Sequence, residues 1–256
     1  MRLTKQKLYK LIREALQDTE EDEQSKKKKP RKIFVLVGPP SVGKSYWMDE
    51  TFPNKKEIYI INRDDIVTNV ASEIKDNKGI PWTYDDLFQL PGKEAKLGDK
   101  SDKYGKVIDS VKPVIHWSKF SYDKVALANK EVTNRQETRI AGAAPSGRDI
   151  VVDMTNLTAQ SRADMLGAIK APEKYYKKIA VVFEFEGAEE IIKKIAAKRN
   201  AEEKKLGRSK TLDDGVFKRM FSAFQRIDPA EGFEEVISVD NREKLRMAVN
   251  DMDTGA

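Results

Sequence analysis

The chain contains no cysteine and a single histidine, His116. The first absence excludes disulfides, thiolate zinc sites and a cysteine nucleophile, and predicts a reducing, intracellular setting. The second excludes a histidine-built metal site and leaves His116 as an ordinary imidazole. No apolar run approaches the roughly 20 residues of a membrane span, and there is no signal-peptide core, so a soluble, cytoplasmic protein is expected. Internal repeats are also lacking. What remains is a chain whose 256 residues, 39% of them hydrophobic, suffice for one main domain. Lysine and arginine outnumber aspartate and glutamate 48 to 42, an excess that favours a polyanionic partner without specifying one.

Composition shifts near residue 30. The stretch "DTEEDEQSKKKKPRK" passes from an acidic to a basic block with almost no apolar content, which predicts a linker over 18–32. Ahead of it, Leu8, Leu11, Ile12, Ala15 and Leu16 recur at helical spacing among basic residues, so 3–17 reads as a basic amphipathic helix whose apolar stripe needs a partner, by default protein. Residues 1–31 are thus an appendage and 32–256 the main domain.

From residue 32, apolar strands alternate with helical stretches, the signature of an α/β domain with a mostly parallel sheet between helical layers. Strands are predicted at 32–37, 57–62, 149–154, 178–185 and 234–239. Runs such as Ile150, Val151 and Val152 imply burial on both faces. Helices are predicted at 44–52, 122–142, 157–170, 187–206, 213–226 and 241–251. Residues 72–120, with scattered glycines, charges and aromatics, read as an irregular insertion.

Between the first strand and the first helix lies "GPPSVGKS", in which Gly38, Gly43, Lys44 and Ser45 fit G-x-x-x-x-G-K-[ST]. In that context the backbone of Gly38, Pro39, Pro40, Ser41, Val42 and Gly43 is expected to wrap a β-phosphate. Lys44 would span the β- and γ-phosphates, and the Ser45 hydroxyl would ligate magnesium. A nucleoside triphosphate, ATP with Mg2+, is the expected ligand. The second strand ends in "INRDD", which places Asp64 and Asp65 at a strand's carboxyl end, where open α/β sheets bind ligands. Phosphoryl transfer to an alcohol wants one carboxylate there to accept the hydroxyl proton; the other would cap the next helix or meet solvent.

The ordered set "GPPSVGKS", "INRDD", "VVDMTNLTAQSR" and "KRNAEEKKLGRSK" resembles the 5′-hydroxyl polynucleotide kinases of tailed phages, over residues 32 to about 226. That resemblance implies a P-loop kinase sheet, transfer of the ATP γ-phosphoryl to a 5′-hydroxyl of DNA or RNA, and action in a phage-infected host cell. It also implies Asp64 as general base, with Arg63 and Asp65 beside it at the substrate. It points to a lid over about 199–210 whose Arg199 and Arg208 stabilise charge on the transferred group, with Gly207 as hinge. This segment is longer than the family's lid.

Asp153 ends an apolar strand, as a carboxylate that holds a magnesium-bound water or Ser45 would. Asn156 either orients substrate or shapes a turn, and Arg162 on the next helix either meets substrate or makes a surface salt bridge. The family pattern has an arginine three residues after the first aspartate of "RDD"; here the residue is Val67, with Lys75 or the insertion left to compensate. Trp82, Tyr84, Phe88, Trp117, Phe120 and Tyr122, interleaved with lysines, suit either a single strand of nucleic acid or packing of the insertion onto the domain. The tail "NDMDTGA" only superficially resembles a phosphatase nucleophile motif, and no phosphatase or ligase module is expected. Two other functions fit the same residues: a P-loop kinase of a small hydroxyl acceptor, such as a nucleoside or nucleotide sugar, and a nucleotide-gated docking protein with little turnover.

Overall fold

The computed structural model describes residues 30–76, 78–88, 122–206 and 210–254. The strands are β1 (Arg31–Val37), β2 (Ile58–Ile61), β3 (Asp149–Val152), β4 (Tyr176–Glu184) and β5 (Glu235–Asp240). The helices are α1 (Lys44–Thr51), α2 (Arg63–Glu73), α3 (Tyr84–Phe88), α4 (Tyr122–Ala141), α5 (Ala159–Ile169), α6 (Glu189–Lys205), α7 (Asp214–Ala223) and α8 (Arg242–Thr254). All five strands and six of the helices lie where hydrophobic periodicity places them, with ends moved by a few residues. The helices α2 and α3 are additional. Asn62 starts α2 by accepting hydrogen bonds on its side-chain oxygen from the amides of Asp64 and Asp65, at 2.8 and 3.2 Å. This is the N-cap arrangement, with both acidic residues in the first turn, where the helix dipole favours them. The predicted N-terminal helix and nearly all of its linker, Trp117, Phe120, Gly207 and Arg208 lie outside the described residues.

Every strand pairing is parallel, in the order β2-β3-β1-β4-β5. Alternation along β1 sends Phe34 and Leu36 to one face and Ile33, Val35 and Val37 to the other. The first face packs under α1, α6, α7 and α8 through Met48, Ile192, Phe217 and Leu245. The second packs under α4 and α5 through Ile140, Met165 and Ile169. The central strands β1, β3 and β4 are therefore covered on both faces, which explains why they read as unbroken apolar runs, while β5 at the edge is largely exposed. A third apolar cluster, Ile66, Val67, Val70, Trp82, Tyr84, Leu87 and Val132, binds α2, α3 and α4 together at the β2 side. Trp82 and Tyr84 are thus packed into the domain, at 2% and 7% exposure, not laid out as a base-stacking surface. Asp251 and Asp253 fall in the last turns of α8, not at a strand end.

Two residues expected among the substrate contacts hold the fold instead. Arg162 is fully buried, and its guanidinium is saturated: Nε and Nη2 grip Glu231 at 2.6 Å each, while Nη1 and Nη2 donate to the carbonyls of Asn156, Gln225 and Arg226. It fastens the 225–231 segment to the start of α5 and offers no donor to a ligand. Asn156 is buried in a left-handed conformation, φ 46°, and donates to the carbonyls of Leu36 and Val152. It locks the β3–α5 turn to β1, and the turn reading of this residue is the one that the structure supports.

Removing one partner of a buried ion pair strands the other, so Arg162→Met should lower the unfolding free energy by about 3–5 kcal/mol. Hydrogen bonding to Arg162 holds the Glu231 carboxyl below its ordinary value, burial opposing it. A depressed carboxylate contributes stability in full above its unfolded pKa of about 4.3 and loses it as pH falls through the folded value. Urea titrations should therefore show the gap between wild type and Arg162→Met widest near neutrality and narrowing below pH 4.

Candidate active site at the carboxyl edge of the sheet

In a parallel sheet all strands end on one edge, and here that edge gathers residues 38–45 after β1, 62–65 after β2, Asp153 after β3 and Asn241 after β5. β1 and β3 are neighbours, and the chain leaves β1 toward β2 on one side but leaves β3 toward β4 on the other, so the connections diverge between them and open the crevice where such sheets bind ligands.

The loop after β1 is fixed by backbone and side-chain constraints. The Gly38 amide donates to the Thr155 carbonyl at 3.0 Å, and a Cβ at Gly38 would sit 3.1 Å from both Phe183 Cβ and Val42 Cγ1. Val42 is wholly buried and anchors the loop in the core. Ser41 and Gly43 take left-handed conformations, φ 63° and 98°, which turn successive amides toward one concavity. Gly43 also rests against Asn241, whose Nδ2 would lie 2.7 Å from an added Cβ. The Lys44 ammonium donates to the Gly38 and Pro39 carbonyls, both at 2.8 Å, folding back over the loop. Burial pushes its pKa down to about 8, against the pull of Asp153 and Asp64, while Lys210 and Arg199 push the same way as burial. A desolvated ammonium over a nest of amides suits a polyphosphate, whose charge would restore what burial takes away. Ser45 lies in the first turn of α1 and is exposed.

Asp64 faces this loop from α2. Burial raises its pKa, but the charge and hydrogen bond of Lys210, the hydrogen bond of Tyr84 and the charge of Lys44 outweigh it, and the carboxyl lies below its ordinary value. The Tyr84 hydroxyl donates to Oδ1 at 2.9 Å, and Lys210 Nζ donates to Oδ2. Half of the Asp64 side chain, 51%, stays open to the cleft. Asp65, its neighbour, is pushed up by burial and by Asp64, with Arg139, Lys210 and Arg199 opposing. Asp153 accepts from Asn62 Nδ2 at 2.9 Å and is likewise raised by burial, Lys44 offsetting part of it. Asn62 therefore ties the carboxyl end of β3 to the α2 turn that carries Asp64. Arg63 turns away to Gln136 at 3.2 Å, on α4.

Lys44, Asp64 and Asp153 thus share one crevice, and Arg199 on α6 is near enough for its charge to be felt there. Arg162 and Asn156 are not part of it. Tyr84, Asn62 and Asn241 are members that sequence reasoning did not select. Lys210 stood in the basic stretch after α6, two positions from the arginine chosen instead. Among the described residues no group of three or more His, Cys, Asp or Glu side chains forms a metal cage. None of their helices is long and apolar enough to cross a membrane.

Gly43→Ala combines a left-handed strain with a clash, so it should cost roughly 1–3 kcal/mol of stability and abolish ATP binding measured by calorimetry. Adding Asn241→Ala should recover part of the stability but not the binding, because the backbone strain remains.

Among curated proteins no match to the chain was found. Solved structures similar to it include a chain of the Pnkp1/Rnl/Hen1 RNA repair complex, at 15% identity and TM-score 0.44, over 78% of this chain and 46% of that one. A fungal RNA kinase is similar at 15% identity and TM-score 0.39, over 87% and 85% of the two chains. A structure of the PezAT toxin–antitoxin system of Streptococcus pneumoniae is similar at 13% identity and TM-score 0.46, over 94% and 80%. This chain spans less than half of the RNA repair complex chain that it matches. The family model of the AAA domain matches residues 33–227, about three quarters of the chain, and to that family, on a P-loop kinase-type α/β sheet, this protein belongs.

Proposed function

We propose that this protein transfers the γ-phosphoryl group of ATP to a 5′-hydroxyl of DNA or RNA, with Asp64 as general base. The observation that carries the reading is the convergence of Lys44 and Asp64 on one crevice, each within electrostatic range of the other. The acceptor oxygen attacks the γ-phosphorus and gives its proton to Asp64 as the bond to the β-phosphate oxygen breaks; ADP departs with that electron pair. Lys44, now resting on the Gly38 and Pro39 carbonyls, would exchange them for phosphate oxygens. Arg199 would stabilise charge on the transferred group from the lid side, and Arg208 belongs to the same expectation. Asp65 flanks the base and in this reading borders the acceptor, while Arg63 is engaged with Gln136 and supports the start of α2 instead.

Magnesium would be held by the Ser45 hydroxyl and, across a water, by Asp153, and would neutralise charge on the nucleotide. The residues fit that ion, which keeps several waters and draws most remaining ligands from substrate phosphates, so a protein with one hydroxyl and one carboxylate at hand is suited to it.

A second reading has one specific observation in its favour. Val67, where the resembling family has an arginine, is 2% exposed inside the apolar cluster of α2 and α3, and offers nothing to an acceptor's phosphate. That favours a small hydroxyl acceptor such as a nucleoside.

A panel of γ-labelled ATP with 5′-hydroxyl DNA, 5′-hydroxyl RNA, nucleosides and no acceptor separates the readings. Label is expected on oligonucleotides. Asp64→Asn should lower kcat by about 10²- to 10⁴-fold with little change in KM for ATP, while Lys44→Ala should depress both constants. Label on nucleosides alone would establish the second reading, and label nowhere would leave a nucleotide-gated binding protein.

A further inference from the structure

We propose that Tyr84 and Lys210 are positioning residues that clamp the Asp64 carboxylate by its two oxygens, one from the inserted segment and one from the lid side. The proposal rests on the reading of Asp64 as the base. Tyr84 opens α3, and its hydroxyl donates to Oδ1. Lys210 donates to Oδ2 while its ammonium lies 5.0 Å from the centre of the Tyr84 ring, so phenol and cation brace each other as well as the carboxylate.

The clamp is itself held. The Lys210 amide donates to Asn200 Oδ1 at 2.9 Å, and Asn200 Nδ2 donates to Thr211 Oγ1. Thr211 in turn donates through its amide and its hydroxyl to Asp85, at 2.7 and 2.8 Å. Asp85 is the neighbour of Tyr84 in α3, so the end of α6, the segment entering α7 and the inserted helix close a ring around the base. Beneath it, Val67 lies one helical turn beyond Asp64 and packs in the same cluster as Tyr84, Trp82 and Leu87. An arginine at 67 would have to displace that packing. The inserted helix takes over the space and sends a neutral hydroxyl, with a lysine from another segment, to the carboxylate that an arginine one turn away would otherwise face.

The geometry has a functional consequence. With Oδ1 occupied by Tyr84, Oδ2 is the oxygen left to meet an acceptor hydroxyl, and Lys210 sits on it. Lys210 must yield or share that oxygen when the acceptor arrives, whereas Tyr84 stays and fixes the carboxylate's rotation. Burial and the Asp64 charge raise the Tyr84 pKa, which keeps the phenol protonated as a permanent donor. Among the described residues, the other charged groups that face this crevice include Lys44 on α1, Asp65 on the same helix as Asp64, Asp153 after β3 and Arg199 on α6.

Two variants preserve packing and remove one contact each: Tyr84→Phe and Lys210→Met. The ¹³C carboxyl resonance of Asp64, assigned by its loss in Asp64→Asn, reports the clamp without any turnover. Both variants remove a group that favours the ionised form, so the titration midpoint should rise, by roughly one unit in Lys210→Met and by less in Tyr84→Phe. In the transfer assay Tyr84→Phe should lower kcat about 10- to 100-fold, with KM for ATP unchanged and the acid limb of the pH profile moved upward. Lys210→Arg should retain a midpoint near that of the wild type, since it keeps the cation. Unshifted midpoints in both variants overturn the clamp, whatever the transfer assay shows. Shifted midpoints with no labelled acceptor support it while removing the kinase reading on which its role as a base clamp depends.

Discussion

The structure depends on a sheet whose five strands all run the same way and whose central strands, β1, β3 and β4, are buried on both faces. Such a sheet needs helices to carry the chain back outside it, so every turn that follows a strand falls on one edge. The apolar sequence of β1 therefore does two things: its alternating residues join the two halves of the core, and its end delivers the glycine-rich loop to the middle of that edge. The carboxylates after β2 and β3 reach the same place because their strands lie next in order on one side. Asn62 then makes the spacing rigid, capping α2 with its oxygen and holding Asp153 with its amide nitrogen.

Gathering groups this way concentrates charge where water is scarce. Lys44 is pushed toward neutrality by burial and Asp153 and Asp65 toward protonation, while Asp64 alone among these carboxylates is driven the other way. The difference comes from the charge of the adjacent Lys210 together with direct hydrogen bonds. Asp64 accepts from a lysine and a phenol, Asp153 from a neutral amide, and Asp65 has chiefly distant cations to offset its neighbour. Carboxylates placed close together cannot all ionise at equal cost, and the donors decide which one carries the charge. The same arithmetic leaves Lys44 receptive to the negative charge of a polyphosphate.

The strands, the loop after β1 and most of the helices were legible in the sequence because each rests on a local signal: a β-branched run, a glycine spacing, a 3.6-residue period. The start of α2 was half legible. Its two aspartates suggested a cap, but the cap is Asn62, whose ambiguity is that of any asparagine at a strand end. Arg162 was not legible, since nothing in "TAQSRADM" reveals that Glu231, 69 positions away, will meet it in the core. Asn156 stayed ambiguous for a related reason, because a buried left-handed turn residue and a ligand-orienting amide look alike in one dimension. Tyr84 and Lys210 were hidden by distance: 20 and 146 residues from Asp64, they reach it only after the insertion folds on α2 and the chain returns from α6.

Val67 shows why a missing motif residue is better understood in its three-dimensional surroundings than as a loss. In the sequence it is an arginine that is not there. In the fold it is floor for α3, and an apolar floor is what allows a buried tyrosine ring to stand over it and present its hydroxyl to Asp64. A charged side chain at that position would have to be solvated or paired, which would pry α3 from α2. The apolar residue and the inserted helix are therefore one structural choice, and the lysine that completes the carboxylate's partners comes from the segment that follows α6. On the proposed reading, acceptor selectivity would depend on the join between α3 and the segment after α6, not on a single residue of α2, because that join determines which cation stands beside Asp64.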